Sequence, residues 1–461
     1  MTKDMTTGSP LKHIISFAIP VFFGMLFQQF YSIADMMVVS WTLGEGALAA
    51  VGSTGAVFFL IIGFCMGLSG GFAVHIAQNF GSKNFAELKR FTGNIIWLCA
   101  GFSVVVTVLA VIFCRSILVI TNTPADIFDM AYNYIIVIFW GIPATFAYNM
   151  LSGIMRSLGD SRSPLYILIA SSLLNIGLSF MFILAFGWGT MGAALATVIS
   201  EIGSVIGCLV LIAKRFDLVH ISKSDLKPSW SHIRRLLGNG IPMGLLMSLT
   251  AIGSTVLQSS VNSLGSVSVA AITAASRFDG ICGSVTVAIG NAATTFCAQN
   301  MGAGNIDRIK KGVRTGVVVA VGYSIVAFLI VMLFGRTLAL LFIDAESTDL
   351  INLTYQYMVT CAAFYWAVAL IHVVRLSIQG LGYGTIVMIA GLLEMVARGA
   401  VGIVFVPIFG FTAACFASPA AWVIADLFII PSFVIAMRRA AKRIANEREM
   451  QSENLVLSGE T

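Results

Sequence analysis

Charge is what this sequence lacks. Only 10% of its 461 residues are charged and 58% are hydrophobic, with a mean hydropathy of +0.93. A soluble domain carries about 25% charge. The composition therefore excludes a soluble class and specifies a polytopic membrane protein. The eight cysteines never come closer than fifteen positions, as in Cys99 and Cys114 or Cys282 and Cys297. That spacing excludes CxxC metal or redox motifs and argues against a disulfide framework; the cysteines read as small buried hydrophobes. GxxxxGK[ST] is absent, which argues against ATP drive. His75 and His372 have no second ligand at metal spacing and read as satisfied core histidines. No metal, cofactor or nucleic-acid partner is expected. Neither a nucleophile–base pair nor a metal cluster is present, so an intramembrane enzyme is not expected. The N-terminus shows no small-residue cleavage site, and Pro20 and Asp35 interrupt its apolar run, so it reads as a retained helix rather than a signal peptide.

What is present is a series of apolar runs. A span needs about 20 apolar residues. Twelve fit, at roughly 12–40, 47–79, 89–113, 125–152, 163–185, 190–213, 233–262, 267–299, 308–333, 347–378, 384–407 and 411–437. Gly187–Gly189 separates spans five and six, and Pro407–Gly410 separates eleven and twelve. From Gly46 to Ser82 there is no formal charge; this stretch predicts one long, glycine-bent helix.

The halves repeat at an offset near 220. Ala18–Ile19–Pro20 recurs as Gly240–Ile241–Pro242. Ala77–Gln78–Asn79–Phe80–Gly81, with Asn84, recurs as Ala298–Gln299–Asn300–Met301–Gly302, with Asn305. Arg156–Ser157–Leu158–Gly159 recurs as Gln379–Gly380–Leu381–Gly382. The expected domains are an N-terminal lobe at 1–214, a polar linker at 215–232, a C-terminal lobe at 233–438 and a polar tail at 439–461. Six spans per lobe give both copies one orientation, with a substrate site expected between them. Basic residues set orientation. Twenty-three of the 27 Lys and Arg fall on one side, Arg375 among them. The other side has Arg115 and Arg336 beside acids such as Asp126, Asp129, Asp344 and Asp349. Both termini are therefore expected in the cytoplasm, and the basic linker is a candidate contact for anionic lipid heads.

Within the first span, FQQFYSIADMMVVS at 27–40 contains one acid, Asp35. An aspartate there is costly in lipid, on the order of 2.5–3.5 kcal/mol. It must face protein or water, find a partner, or carry a proton, and intramembrane acids mark ion or substrate pathways.

The early Pro20, SIADMMVVSWTLGEGALAAVG at 32–52, the AQNFGSKN and AQNMGAGN pair, and MRSLGDSRSPLYILIASSLLNI at 155–176 together resemble the multidrug and toxic compound extrusion (MATE) family. The resemblance covers about residues 10–440. It implies an all-α integral membrane protein, with twelve helices in two six-helix lobes around a V-shaped central cleft. It also implies an antiporter that expels amphipathic organic cations in exchange for protons or sodium. A lipid-linked oligosaccharide flippase of the same superfamily is the alternative; it would prefer a basic cleft. Some family members carry a glutamate in span seven and an aspartate in span ten, and neither acid is present here. The sequence resembles instead the bacterial branch with a cation site in the N-terminal lobe. The matching positions are Asp35, Asn175, Ser179 and Thr197. Ser179 stands where that branch has a carboxylate, and a hard cation needs carboxylates for charge compensation. The charge count thus favours protons over sodium.

Glu201, four residues after Thr197, shares its helix face. On antiparallel spans it is expected level with Asn175, either as a displaced second acid or as a packing residue hydrogen-bonded to Ser or Thr. Glu394 and Arg398 have the i,i+4 spacing of an ion pair within one helix. Arg277 and Asp279, in ASRFDG, resemble a family pattern. All four are expected to be structural intramembrane charges. Asp426 lacks a local partner and is a candidate substrate contact, with Gln28, Tyr31 and Met36, whose aromatic and soft groups suit flat cations. Small organic cations and the bilayer are the expected partners, the protein is expected to be a monomer, and its expected location is the plasma membrane.

Overall fold

The computed structural model describes residues 2–340, 343 and 347–458; Asp344 and residues 459–461 of the tail lie outside them. All regular structure among the described residues is helical. The helices are α1 Pro10–Leu43, α2 Glu45–Ser53, α3 Gly55–Gly81, α4 Phe85–Ile120, α5 Phe128–Ser157, α6 Arg162–Phe180, α7 Gly189–Arg215 and α8 Trp230–Asn262. They continue as α9 Ser266–Gly302, α10 Ile306–Ala339, α11 Thr348–Ala363, α12 Tyr365–Leu370, α13 Leu376–Gly380, α14 Gly384–Ala400 and α15 Val406–Ser458. Three single π-turns, Met181–Ala185, Ile371–Arg375 and Val401–Phe405, interrupt spans five, ten and eleven.

Among the described residues, ten helical stretches are long and apolar enough to cross a membrane. The pair Thr348–Ala363 and Tyr365–Gly380, bent by 50°, makes an eleventh. The stretch Gly384–Asn446 has 63 residues. At 1.5 Å per residue it would reach about 95 Å, far more than a hydrocarbon core of about 30 Å. Gly410, at φ 60°, breaks it into two spans; a side chain there would resist that backbone. The total is twelve, and the chain is a multi-pass membrane protein. Gly187 and Gly189, also at positive φ, turn the chain between spans five and six.

One expected helix is not continuous. The charge-free stretch from Gly46 breaks at Thr54, between α2 and α3. Ser53 donates its hydroxyl to Ala50 O at 2.8 Å and Thr54 donates to Val51 O at 2.7 Å. Such local bonds compete with the helix ladder.

The chain forms two compact units. Unit 1 contains Phe17–Ile76 and Phe85–Val256; unit 2 contains Asp4–Ser16, Ala77–Asn84 and the chain from Leu257 onward. These units exchange segments relative to the repeat boundaries. Most of α8 belongs to unit 1 because the glycines of α3 admit it. A Cβ on Gly67 would collide with the Met243 carbonyl, and one on Gly71 with Gly240 Cα. Asn239 Nδ2 then donates to Gly71 O at 3.0 Å. Small residues that let backbones touch are the usual device of membrane helix pairs.

The repeated AQN motifs meet within unit 2. A Cβ on Gly81 would strike the Gln299 carbonyl, and one on Gly302 the Gln78 carbonyl. The two copies cross reciprocally, each glycine against the other's glutamine backbone. Gln78 Nε2 donates to Gly380 O at 3.0 Å, and Gln299 Oε1 accepts from Met5 N at 2.8 Å.

Candidate functional site

Unit 1 gathers its intramembrane polar groups from α1, α5, α6 and α7. Asp35 lies half-buried on α1, with its Oδ1 buried and without a hydrogen-bond partner. Tyr31, one turn earlier, lies within electrostatic reach of Asp35, Tyr134 and Glu201, and its hydroxyl approaches Thr197. On α6, Asn175 is fully buried and donates from Nδ2 to Thr197 Oγ1 at 3.1 Å, leaving Oδ1 unbonded. Thr197 Oγ1 donates to Ala193 O at 3.2 Å. Ser179 is fully buried one turn beyond Asn175, and its Oγ has no partner.

Glu201 takes a different place. The register of α6 on α7 pairs Asn175 with Thr197, and Ser171 Oγ donates to Ser200 O at 2.8 Å. Glu201 therefore lies beyond Asn175 along the pair, not level with it; the expected register was off by about a turn. Its carboxylate accepts a hydrogen bond from Thr145 on α5. Asn149 Nδ2 donates to Thr145 O at 2.8 Å, extending this polar seam along α5.

Of the residues singled out in unit 1, the fold joins Asn175 to Thr197 directly and brings Tyr31 and Asp35 up to them. It leaves Ser179 unbonded and ties Glu201 to Thr145. Gln28 is exposed and Met36 half-buried, both on α1. Tyr134 and Thr145 were missed in the sequence. The available signal was a stripe on span four, with Gly141, Thr145 and Asn149 spaced by four residues.

Unit 2 holds a second constellation. Arg375 Nη1 donates to Glu394 Oε2 at 2.7 Å, and Arg398 Nη2 lies 3.5 Å from Glu394 Oε1. The i,i+4 pair is thus the longer of two. Arg375, which the basic-residue count placed on the cytoplasmic side, sits in a π-turn with its side chain only 13% exposed. It is an interior ion-pair partner because Glu394 draws it inward. Nearby, His372 Nδ1 and Thr286 Oγ1 are 2.9 Å apart. Asp279, three turns inside α9, accepts from the Tyr365 hydroxyl, whereas Arg277 is exposed. Asp426 is 4% exposed, and neither carboxyl oxygen has a partner.

Chemically, the unit 1 cluster offers one acid beside neutral amide and hydroxyl oxygens. It can take up and release a proton at Asp35. It offers a metal cation a single charge, with Asn175 Oδ1 and Ser179 Oγ as unbonded acceptors.

Comparison with known proteins follows the same lines. The MatE family model matches residues 20–181 and 242–407, one match in each repeat. Among curated proteins, the probable multidrug resistance protein YoeA of Bacillus subtilis (strain 168) is 30% identical over 355 residues, 76% of this chain and 77% of that one. The probable multidrug resistance protein YpnP of the same organism is 28% identical over 363 residues, 78% of this chain and 80% of that one. A crystal structure of MATE in the bent conformation superposes with a TM-score of 0.89 at 24% identity, covering 96% of this chain and 98% of that chain. That last likeness confirms a twelve-helix, two-lobe fold. The chain belongs to the multidrug and toxic compound extrusion family and is a membrane transporter rather than an enzyme.

Proposed function

We propose that this transporter exports amphipathic organic cations in exchange for protons, with Asp35 as the coupling acid. The observation that carries the reading is the buried, unbonded Oδ1 of Asp35 beside an amide and hydroxyls, with no second carboxylate hydrogen-bonded into the group. A proton needs one acid that can cycle between neutral and charged forms as its surroundings change. A sodium ion would have to shed water for a site of one negative charge. The multidrug resistance names of the relatives support the substrate class. In this reading the two repeats alternate access, as repeat-built transporters do. The protein acts as a monomer in the plasma membrane, with both termini in the cytoplasm.

Dye efflux from reconstituted vesicles tests the coupling. Collapse of the proton gradient alone is expected to stop efflux of an ethidium-like dye, and collapse of the sodium gradient alone to leave it intact. Dependence on sodium alone would overturn proton coupling. Orientation is read by cysteine labelling in a cysteine-free background. Cysteines at Asp126 and Asp349 are expected to react from outside and one at Ser224 to be protected; the reverse pattern would invert the topology.

A further inference from the structure

Unit 2 contains a carboxyl group that its own ion-pair network leaves out. Glu394 on α14 takes both nearby guanidinium groups, Arg375 at 2.7 Å and Arg398 at 3.5 Å. Asp426 on α15 is buried, only 4% exposed, and both its oxygens are unbonded. It is nonetheless within electrostatic reach of Glu394 and Arg375. The Nε–H groups of Arg375 and Arg398 are buried and unbonded too. The network thus has an acid without a donor and two guanidinium groups with a donor to spare.

A buried carboxylate with no hydrogen bond and no cation is strongly disfavoured. The same carboxyl as a neutral acid is tolerated. A metal cation is a poor occupant, because Arg375 and Arg398 already supply positive charge. The other faces bring further titratable groups among the described residues. His372, beside Arg375 and Arg398, shares its Nδ1 with Thr286. One turn from Asp426 along α15, Trp422 borders a cavity of about 50 Å³ with Tyr323, Tyr365 and the bonded Asp279. From α11, Tyr357 and Cys361 are further titratable groups in the core that α11 shares with α15.

We infer that Asp426, Arg375 and Glu394 form a second proton-exchange site in unit 2, in which Arg375 is shared between two acids. In the arrangement seen, Arg375 is bound to Glu394 and Asp426 holds its proton. When Asp426 releases that proton, its carboxylate competes with Glu394 for Arg375, and the guanidinium bridges the two acids. The O–H bond breaks, the proton leaves to water, and the net charge of Asp426, Glu394, Arg375 and Arg398 together falls from +1 to zero. The π-turn carrying Arg375 gives the side chain a backbone seat that an unbroken helix would place differently.

This inference rests on proton coupling for its biological use but not for its test. Infrared difference spectra of the purified protein between acid and alkaline buffers report carboxyl groups that change protonation. Asp426→Asn is expected to remove one titrating carboxyl component, and Arg375→Gln to shift its midpoint. Asp35→Asn is expected to remove a different component, so each site is read separately. A difference spectrum unchanged by Asp426→Asn, or a midpoint unmoved by Arg375→Gln, would overturn the inference even if the Asp35 component is present. If Asp426→Asn does not fold, Asp426→Glu retains the acid and must move the band's position; no movement would likewise overturn it.

Discussion

Unit 1 sets the half-buried Asp35 and Glu201 among hydroxyls, a phenol and an amide, whereas unit 2 buries Glu394 between two guanidinium groups. Both arrangements put acids inside the membrane, yet their consequences differ. A carboxylate clamped by two fixed cations is costly to discharge, because each guanidinium would then be a buried, unpaired charge. A carboxyl beside neutral dipoles has no such partner to strand. The first arrangement holds helices together; the second is suited to changing charge during a cycle. Asp426 stands between the two, within electrostatic reach of Arg375 but bonded to no guanidinium.

The largest expected effect is at Asp35. Asp35→Asn is expected to leave insertion and folding intact and to abolish active efflux. Gradient-driven transport by the reconstituted variant would break the contrast at its root. Next comes Glu394→Gln, which removes the carboxylate bound to two buried guanidinium groups and is expected to cost about 3–5 kcal/mol of stability. Glu201→Gln, which keeps an acceptor for Thr145, is expected to cost about 1 kcal/mol or less. Thermal unfolding in detergent compares the two, and equal losses would show that the units do not differ in this respect. Smaller still is the effect of Glu201→Gln on transport, expected to be no more than a few-fold in initial dye efflux rate. A loss as deep as that of Asp35→Asn would make Glu201 a second coupling acid and reopen sodium coupling. The smallest expected change is a gain: Ser179→Asp adds a carboxylate beside Asn175 and is expected to introduce partial sodium dependence without removing proton drive.

Much of the fold was legible in the residues. Long apolar runs fixed twelve spans because lipid offers the backbone no hydrogen bonds and each crossing must be helical. Gly187 with Gly189, and Pro407 with Gly410, marked where those helices turn. Recurrence of AQN and its glycine showed the duplication, and the reciprocal crossing in unit 2 supplies its physical reason. Asp35 stood out by itself, since a lone acid in an apolar run has few neutral explanations.

Only the tertiary structure decided the partners. The i,i+4 rule exposed Arg398 beside Glu394 but was blind to Arg375, which arrives from another helix at the shorter distance. It was blind in the same way to Thr145, which takes Glu201, and to the register that sets Thr197 against Asn175. Likewise, α8 joined unit 1 through backbone approach at Gly67 and Gly71, a contact no charge or hydropathy count records. Hydropathy and local spacing determine which segments enter the membrane and which side chains share a face. Which face meets which depends on side-chain volume and hydrogen-bond geometry between helices far apart in sequence.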